Sequence, residues 1–168
     1  PLTLAASIVL VALAPTPGLK WASAVYLASS FTLFGVSALY HLFYWKPHFE
    51  RVLKRLDHSN IFLLIAGTYT PIAVGVLTGP SRVTLLSIVW GGAILGIALN
   101  LLWPTAPRIL STAIYVALGW TAIWYLPELW QKGGVALVLL IAAGGVLYTI
   151  GAVAYALKKP NPWPEWFG

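Results

Sequence analysis

Long runs without charge dominate this sequence, and they dictate the solvent it folds in. Apolar stretches occupy residues 2–14, 21–45, 61–77, 83–102, 109–126 and 135–157, divided by Pro, Gly and charged residues. Stretches of about 18 to 25 residues cross a hydrocarbon core of roughly 30 Å as helices. The first stretch is shorter and reads as a helix missing its beginning. Hydrophobic residues make up 60% of the chain and charged ones 8%, with a mean hydropathy of +0.84. One soluble core of this size cannot bury so much apolar surface. A bilayer removes the difficulty, because lipid replaces water around the outside.

Apolar residues cover every face of these stretches, so periodicity does not separate helix from strand. Length does, since membrane strands need only about 10 residues and alternate polar with apolar. The expected fold is all-α: a polytopic transmembrane helical bundle of six apolar segments, one domain over residues 1–168. Trp21, Trp45, Trp103, Trp130 and Trp163 lie near segment ends, as an interfacial aromatic belt requires.

Basic residues orient the bundle. Lys46, Arg51, Lys54, Arg55, Arg108, Lys158 and Lys159 follow the second, fourth and sixth segments, while only Lys20, Arg82 and Lys132 occupy the other loops. The positive-inside rule makes the richer side cytoplasmic, and with it the N-terminus. The net charge of +6 is therefore topological. No basic stripe or RNA-binding aromatic motif is present, which excludes nucleic acid and leaves membrane lipids as the expected partners. The absence of cysteine excludes disulfides and thiolate metal sites.

Residues 37–60, SALYHLFYWKPHFERVLKRLDHSN, hold all three histidines and two of the four acids. Ser37 and His41 are four apart, on one helical face. They are either partners for a common ligand, or a hydroxyl bonded back to its own helix beside a headgroup-level imidazole. Asp57 is expected to open the third helix, either as its N-cap or as a carboxylate facing His41, where it would manage the proton of a metal-bound water. His58 points about 100° away from it. His48 is expected to be solvated, on a short amphipathic helix over residues 47–56 that lies along the interface with Glu50 paired to Lys54. GTYTP (67–71) is expected to break the third helix, with Thr68 or Thr70 serving the carbonyl that Pro71 frees. Gly91, Gly92, Gly96, Gly144 and Gly145 read as close helix contacts. Neither a metal nor a reaction follows from these residues alone.

SALYH (37–41), RLDHSNIFLLIAGTYTPI (55–72) and YALKKPNPWP (155–164) closely resemble the bacterial hemolysin III proteins, a branch of the progestin and adipoQ receptor family. The resemblance covers essentially the whole chain. It implies seven helices with a cytoplasmic N-terminus, the seventh lying beyond Gly168. It also implies a zinc site: His41 matches the second-helix ligand, Asp57 the conserved acid and Ser37 the motif serine, with the remaining ligands, a His-x-x-x-His pair, expected beyond Gly168. His58 follows the bacterial pattern without matching a zinc ligand. The wider superfamily includes alkaline ceramidases, so the implied activity is zinc-dependent hydrolysis of a lipid amide. Asp57 would manage the proton and Ser37 would support the ligands. The alternative is a non-enzymatic membrane-homeostasis or sensing protein with a structural metal. A pore-forming hemolysin ranks last, because no span carries a polar stripe.

Overall fold

The computed structural model describes residues 2–103, 105 and 107–157, with only the backbone of Arg108 and of residues 155–157. Every described element is helical: α1 (Leu2–Leu13), α2 (Pro17–Leu42), α3 (Pro47–Val76), α4 (Gly79–Leu102), α5 (Arg108–Gly119), a 3₁₀ segment (Trp120–Tyr125) and α6 (Leu126–Leu157). The YALKKPNPWP motif and Trp163 lie almost wholly outside the described residues.

Helix starts follow local chemistry. Thr16 caps α2 by accepting from the Leu19 N–H at 3.2 Å, and Pro17 takes the first helical position, where a missing N–H costs nothing. Hydroxyls inside the apolar runs bond back to carbonyls four residues earlier, as Ser7, Ser29, Thr32 and Thr149 do. That satisfies them where lipid offers no partner.

α3 is the hub. It packs antiparallel to α2, with Gly75 beside Leu19, Gly67 beside Ser29, and Asn60 beside Thr32. On its other side Phe62 fills the space left by Gly96 of α4, and Trp90 donates to Thr70 Oγ1 at 3.2 Å. Phe62, Ala66, Ala73, Leu77, Leu85 and Val89 are essentially inaccessible. The most apolar window of α3 is 44% buried against 22% for α2 and for α4, so α3 occupies the centre and its neighbours face outward.

Three expectations about α3 change. Residues 47–56 are not a separate interfacial helix but the first turns of α3 itself, because nothing after Pro47 interrupts the helix. Asp57 therefore lies ten residues inside α3 and caps nothing. Pro71 does not break the helix. Thr68 and Thr70 bond to the carbonyls of Leu64 and Ala66, not to the Gly67 carbonyl that a residue at 71 would normally serve.

Four stretches among the described residues are long and apolar enough to cross a membrane: α2, α3, α4 and the run Ile109–Ala154. The expected six is too many. α1 has only 12 residues, and the fifth segment is not one helix. α5 ends at Gly119, where Tyr69 Oη donates to the Gly119 carbonyl at 2.6 Å and accepts from the Ala122 N–H at 3.0 Å. One phenol thus serves both backbone groups released as the helix tightens to 3₁₀. At Gly134 the backbone takes φ 79° and ψ 170°, a conformation open almost only to glycine. The chain reverses there, which brings Thr149 to Trp120 Nε1 at 2.8 Å and Tyr148 against Gly119.

Gly92 and Gly96 make the close contacts expected of them, with Leu118 and Phe62. Gly91, Gly144 and Gly145 do not, since a Cβ at any of the three would meet open space.

Candidate functional site

Four helices converge on one cavity of about 520 Å³ at the end of the bundle that carries Lys46. α2 contributes Tyr40 and His41, and α3 contributes Asp57, His58 and Ile61. α5 adds Thr112 and Tyr115, and α6 closes the far wall with Tyr148, Gly151 and Ala152. His41 and Asp57 thus line one space from two helices. Ser37 is half-buried one turn deeper in α2 and does not line it. His48 is exposed on the first turn of α3, as expected.

The first turns of α3 control how His58 is presented. Its Nδ1 lies 2.8 Å from the Lys54 carbonyl. A carbonyl only accepts, so Nδ1 carries the proton, and in the neutral ring the lone pair belongs to Nε2. Asp57 Oδ2 is 3.8 Å from the same Nδ1, an ion-pair distance when the ring is charged and too long for a hydrogen bond. Asp57 keeps 17% of its side-chain surface and His58 31%, so both stay in contact with solvent at the cavity mouth. His41 is exposed and packs edge-on against Tyr40, ring centroids 4.6 Å apart.

A polar network fixes the floor. Tyr115 donates to the His58 carbonyl at 3.1 Å, and Asn100 Nδ2 approaches the same hydroxyl at 3.4 Å. Ser111 donates to Asn100 Oδ1 at 3.0 Å. Three helices are thereby tied at the turn that carries Asp57 and His58. Tyr115 is 4% exposed and packs on Phe62 with centroids 4.4 Å apart. Sequence reasoning left Asn100 without a role and passed over Tyr115, Thr112 and Tyr148. Their apolar neighbours hid them, and only the reversal at Gly134 brings Tyr148 to this cavity.

A second cavity of about 430 Å³ adjoins the first, with Tyr148 lining both. Its walls are Ile65, Ile72, Leu85, Leu129, Leu137 and Ile141, with Gly144 and Gly145 leaving room on α6. The Tyr148 hydroxyl between the two is buried without a hydrogen-bond partner among the described residues.

A profile of haemolysin-III-related proteins matches residues 1–168. The chain belongs to the haemolysin-III-related family. Within it, the chain is 38% identical over 138 residues to the "Hemolysin-3 homolog" of Bacillus subtilis (strain 168), covering 77% of this chain and 64% of that protein. It is 38% identical over 135 residues to the "Hemolysin-3" of Bacillus cereus, covering 80% of this chain and 61% of the relative. The chain therefore spans under two thirds of these hemolysin-3 proteins. No solved structure matches it. Family membership and the long apolar helices make it a multi-pass membrane protein.

The zinc that the family resemblance implies finds only part of a donor set here. No three of His, Cys, Asp and Glu cluster closely enough to hold a metal ion among the described residues. His41 and Asp57 offer one nitrogen and one carboxylate, and a catalytic zinc usually takes three protein ligands. The described residues do not by themselves make that centre.

Proposed function

We propose that this haemolysin-III-related chain is part of a zinc-dependent hydrolase of a lipid amide. Its chemistry would be placed at the cytoplasmic side of a cell (inner) membrane, and its N-terminus would be cytoplasmic. One observation carries the reading: the cavity lined by His41 and Asp57 opens beside an apolar cavity across Tyr148. An amphiphile needs that pairing, with its polar group among ionisable side chains and its hydrocarbon chain among Leu and Ile. A water-soluble substrate would have no use for the second cavity.

In this reading His41 is a metal ligand and Asp57 holds or releases a proton at the amide. Both face the same space from neighbouring helices. Ser37, one turn deeper, supports the ligands rather than acting on substrate, because it does not line the cavity. The metal would supply Lewis-acid polarisation, and its remaining ligands would come from outside the described residues.

A second reading is a protein that senses or maintains membrane order and whose metal is structural, with all four protein ligands in place. Two measurements separate them. Full-length protein purified without chelators is analysed for zinc, then incubated with an N-acyl sphingoid lipid. One zinc per chain with release of fatty acid supports the hydrolase. Zinc-loaded protein without turnover supports the second reading, and metal-free protein overturns both.

A further inference from the structure

Ser30 Oγ, Ser59 Oγ and Tyr148 Oη are buried without a hydrogen-bond partner among the described residues. Ser30 and Ser59 line neither cavity, and a serine inside a helix is one rotamer away from a carbonyl of its own chain. A phenol cannot fold back in that way, because its hydroxyl stands too far from the backbone that carries it. Tyr69 Oη is taken up by Gly119 and Ala122, Tyr115 Oη by the His58 carbonyl, and Thr68 Oγ1 by the Leu64 carbonyl at 2.6 Å. Leaving a buried donor unpaired is costly, so the acceptor for Tyr148 belongs in the cavities it lines.

The ring stands where the two cavities meet. One edge lies against Gly119, with a ring carbon 3.0 Å from the position a Cβ would take there. Around the ring α6 carries Gly144, Gly145 and Gly151, and a Cβ at any of the three would meet open space. Backbone therefore fixes the ring on one side, and its own helix leaves it room. Long side chains on a helix exchange between χ1 near 180° and near −60°, which here carries the hydroxyl across the border between the cavities.

We propose that Tyr148 Oη donates to the acyl carbonyl of a bound N-acyl lipid, and so selects acyl over alkyl chains. In such a lipid the carbonyl is the first polar group beyond the hydrocarbon. It falls at the border of the cavities when the chain lies among Ile72, Leu137 and Ile141 and the head lies beside Asp57. The hydroxyl oxygen is inaccessible with the ring at rest, so the ring turns as the lipid enters and the carbonyl then accepts from it. Tyr148 holds the carbonyl and carries out no chemistry. The inference rests on the lipid-amide reading for its ligand, and not on zinc or turnover.

The test is equilibrium binding to full-length protein in detergent. One probe is the ketone analogue of N-oleoylethanolamine, with methylene in place of the amide N–H so that nothing can be hydrolysed. The other has methylene in place of the carbonyl as well. The ratio of the two affinities is expected to fall about tenfold in Tyr148→Phe, the worth of one hydrogen bond, with the affinity for the second probe unchanged. The thermal midpoint of ligand-free Tyr148→Phe should not fall, since the variant removes an unpaired donor. A hydroxyl that only supports the fold would give the opposite, a lower midpoint with the ratio kept. Either of those results overturns the proposal and leaves the hydrolase standing. If the wild type binds neither probe, the lipid reading falls and the proposal with it. If the ratio depends on Tyr148 but N-oleoylethanolamine is not cleaved, the proposal stands and the hydrolase alone falls.

Discussion

The hydroxyl of Tyr115 donates to the main-chain carbonyl of His58 at 3.1 Å, across the α5–α3 interface. The contact joins the floor of the polar cavity to the helix that carries its carboxylate. Tyr115→Phe keeps the packing on Phe62 but strips the hydroxyl from His58 and Asn100. The expected cost is about 1–2 kcal/mol, read as a lower thermal midpoint in detergent. An unchanged midpoint would show that the network positions nothing.

Tyr69 serves two backbone groups at once, the Gly119 carbonyl and the Ala122 N–H. Both sit where water cannot replace the phenol. Tyr69→Phe should therefore cost more than Tyr115→Phe, about 2–4 kcal/mol. Hydrogen exchange should locate the loosening at residues 119–122.

Gly134 is the reversal point of the last apolar run, and its φ of 79° with ψ of 170° is strained for any side chain. Gly134→Ala is expected to lose about 1–3 kcal/mol even though a Cβ there meets open space. Gly144→Leu is the contrast. It also meets open space, but on ordinary helical backbone, so it should fold normally while filling the apolar cavity. If the lipid reading holds, uptake of a long acyl chain falls in Gly144→Leu at an unchanged midpoint.

Gly67 lies so close to Ser29 that an added Cβ would overlap both the hydroxyl and the Cβ of the serine. Gly67→Ala should destabilise the α2–α3 pair by about 1–3 kcal/mol. Ser29→Gly in the same chain should recover most of that loss. A double variant no more stable than Gly67→Ala would locate the strain elsewhere.

His41→Ala and Asp57→Asn test the proposed zinc hydrolase, and the following outcomes are expected if that proposal holds. His41→Ala should abolish zinc retention by full-length protein, measured by elemental analysis. Asp57→Asn should retain the fold and lose at least a hundredfold in amide hydrolysis. Ser37→Ala should lose less than either, because Ser37 lies off the cavity wall.

Charge and length along the chain were enough to establish an all-helical membrane protein, because lipid permits few ways to satisfy a backbone. The same reading placed His41 and Asp57 as candidates, since ionisable groups beside apolar runs are conspicuous. It misplaced the start of α3. The charged stretch 47–56 reads as a separate interfacial helix when hydropathy decides, yet one helix continues through charge wherever it leaves the hydrocarbon. The two halves of the cavity differ in the same way. His41 and Asp57 stand 16 residues apart around one hairpin, so local connectivity predicts their meeting. Tyr115 and Tyr148 come from helices 57 and more residues away from His58, and nothing local announces them.

Hydropathy and charge, read along the chain, therefore specify the solvent, the all-helical class and the ionisable candidates for the site. Each follows from side-chain hydration, which is a property of residues one at a time. The tertiary structure alone decided which small residues touch and which leave space. Gly96 is filled by Phe62 while Gly144 faces a void, although both are glycines in apolar helices. It also decided where the last run reverses and which tyrosine separates the polar cavity from the apolar one. Those outcomes depend on how close two helices come, and that distance is fixed by every contact along both.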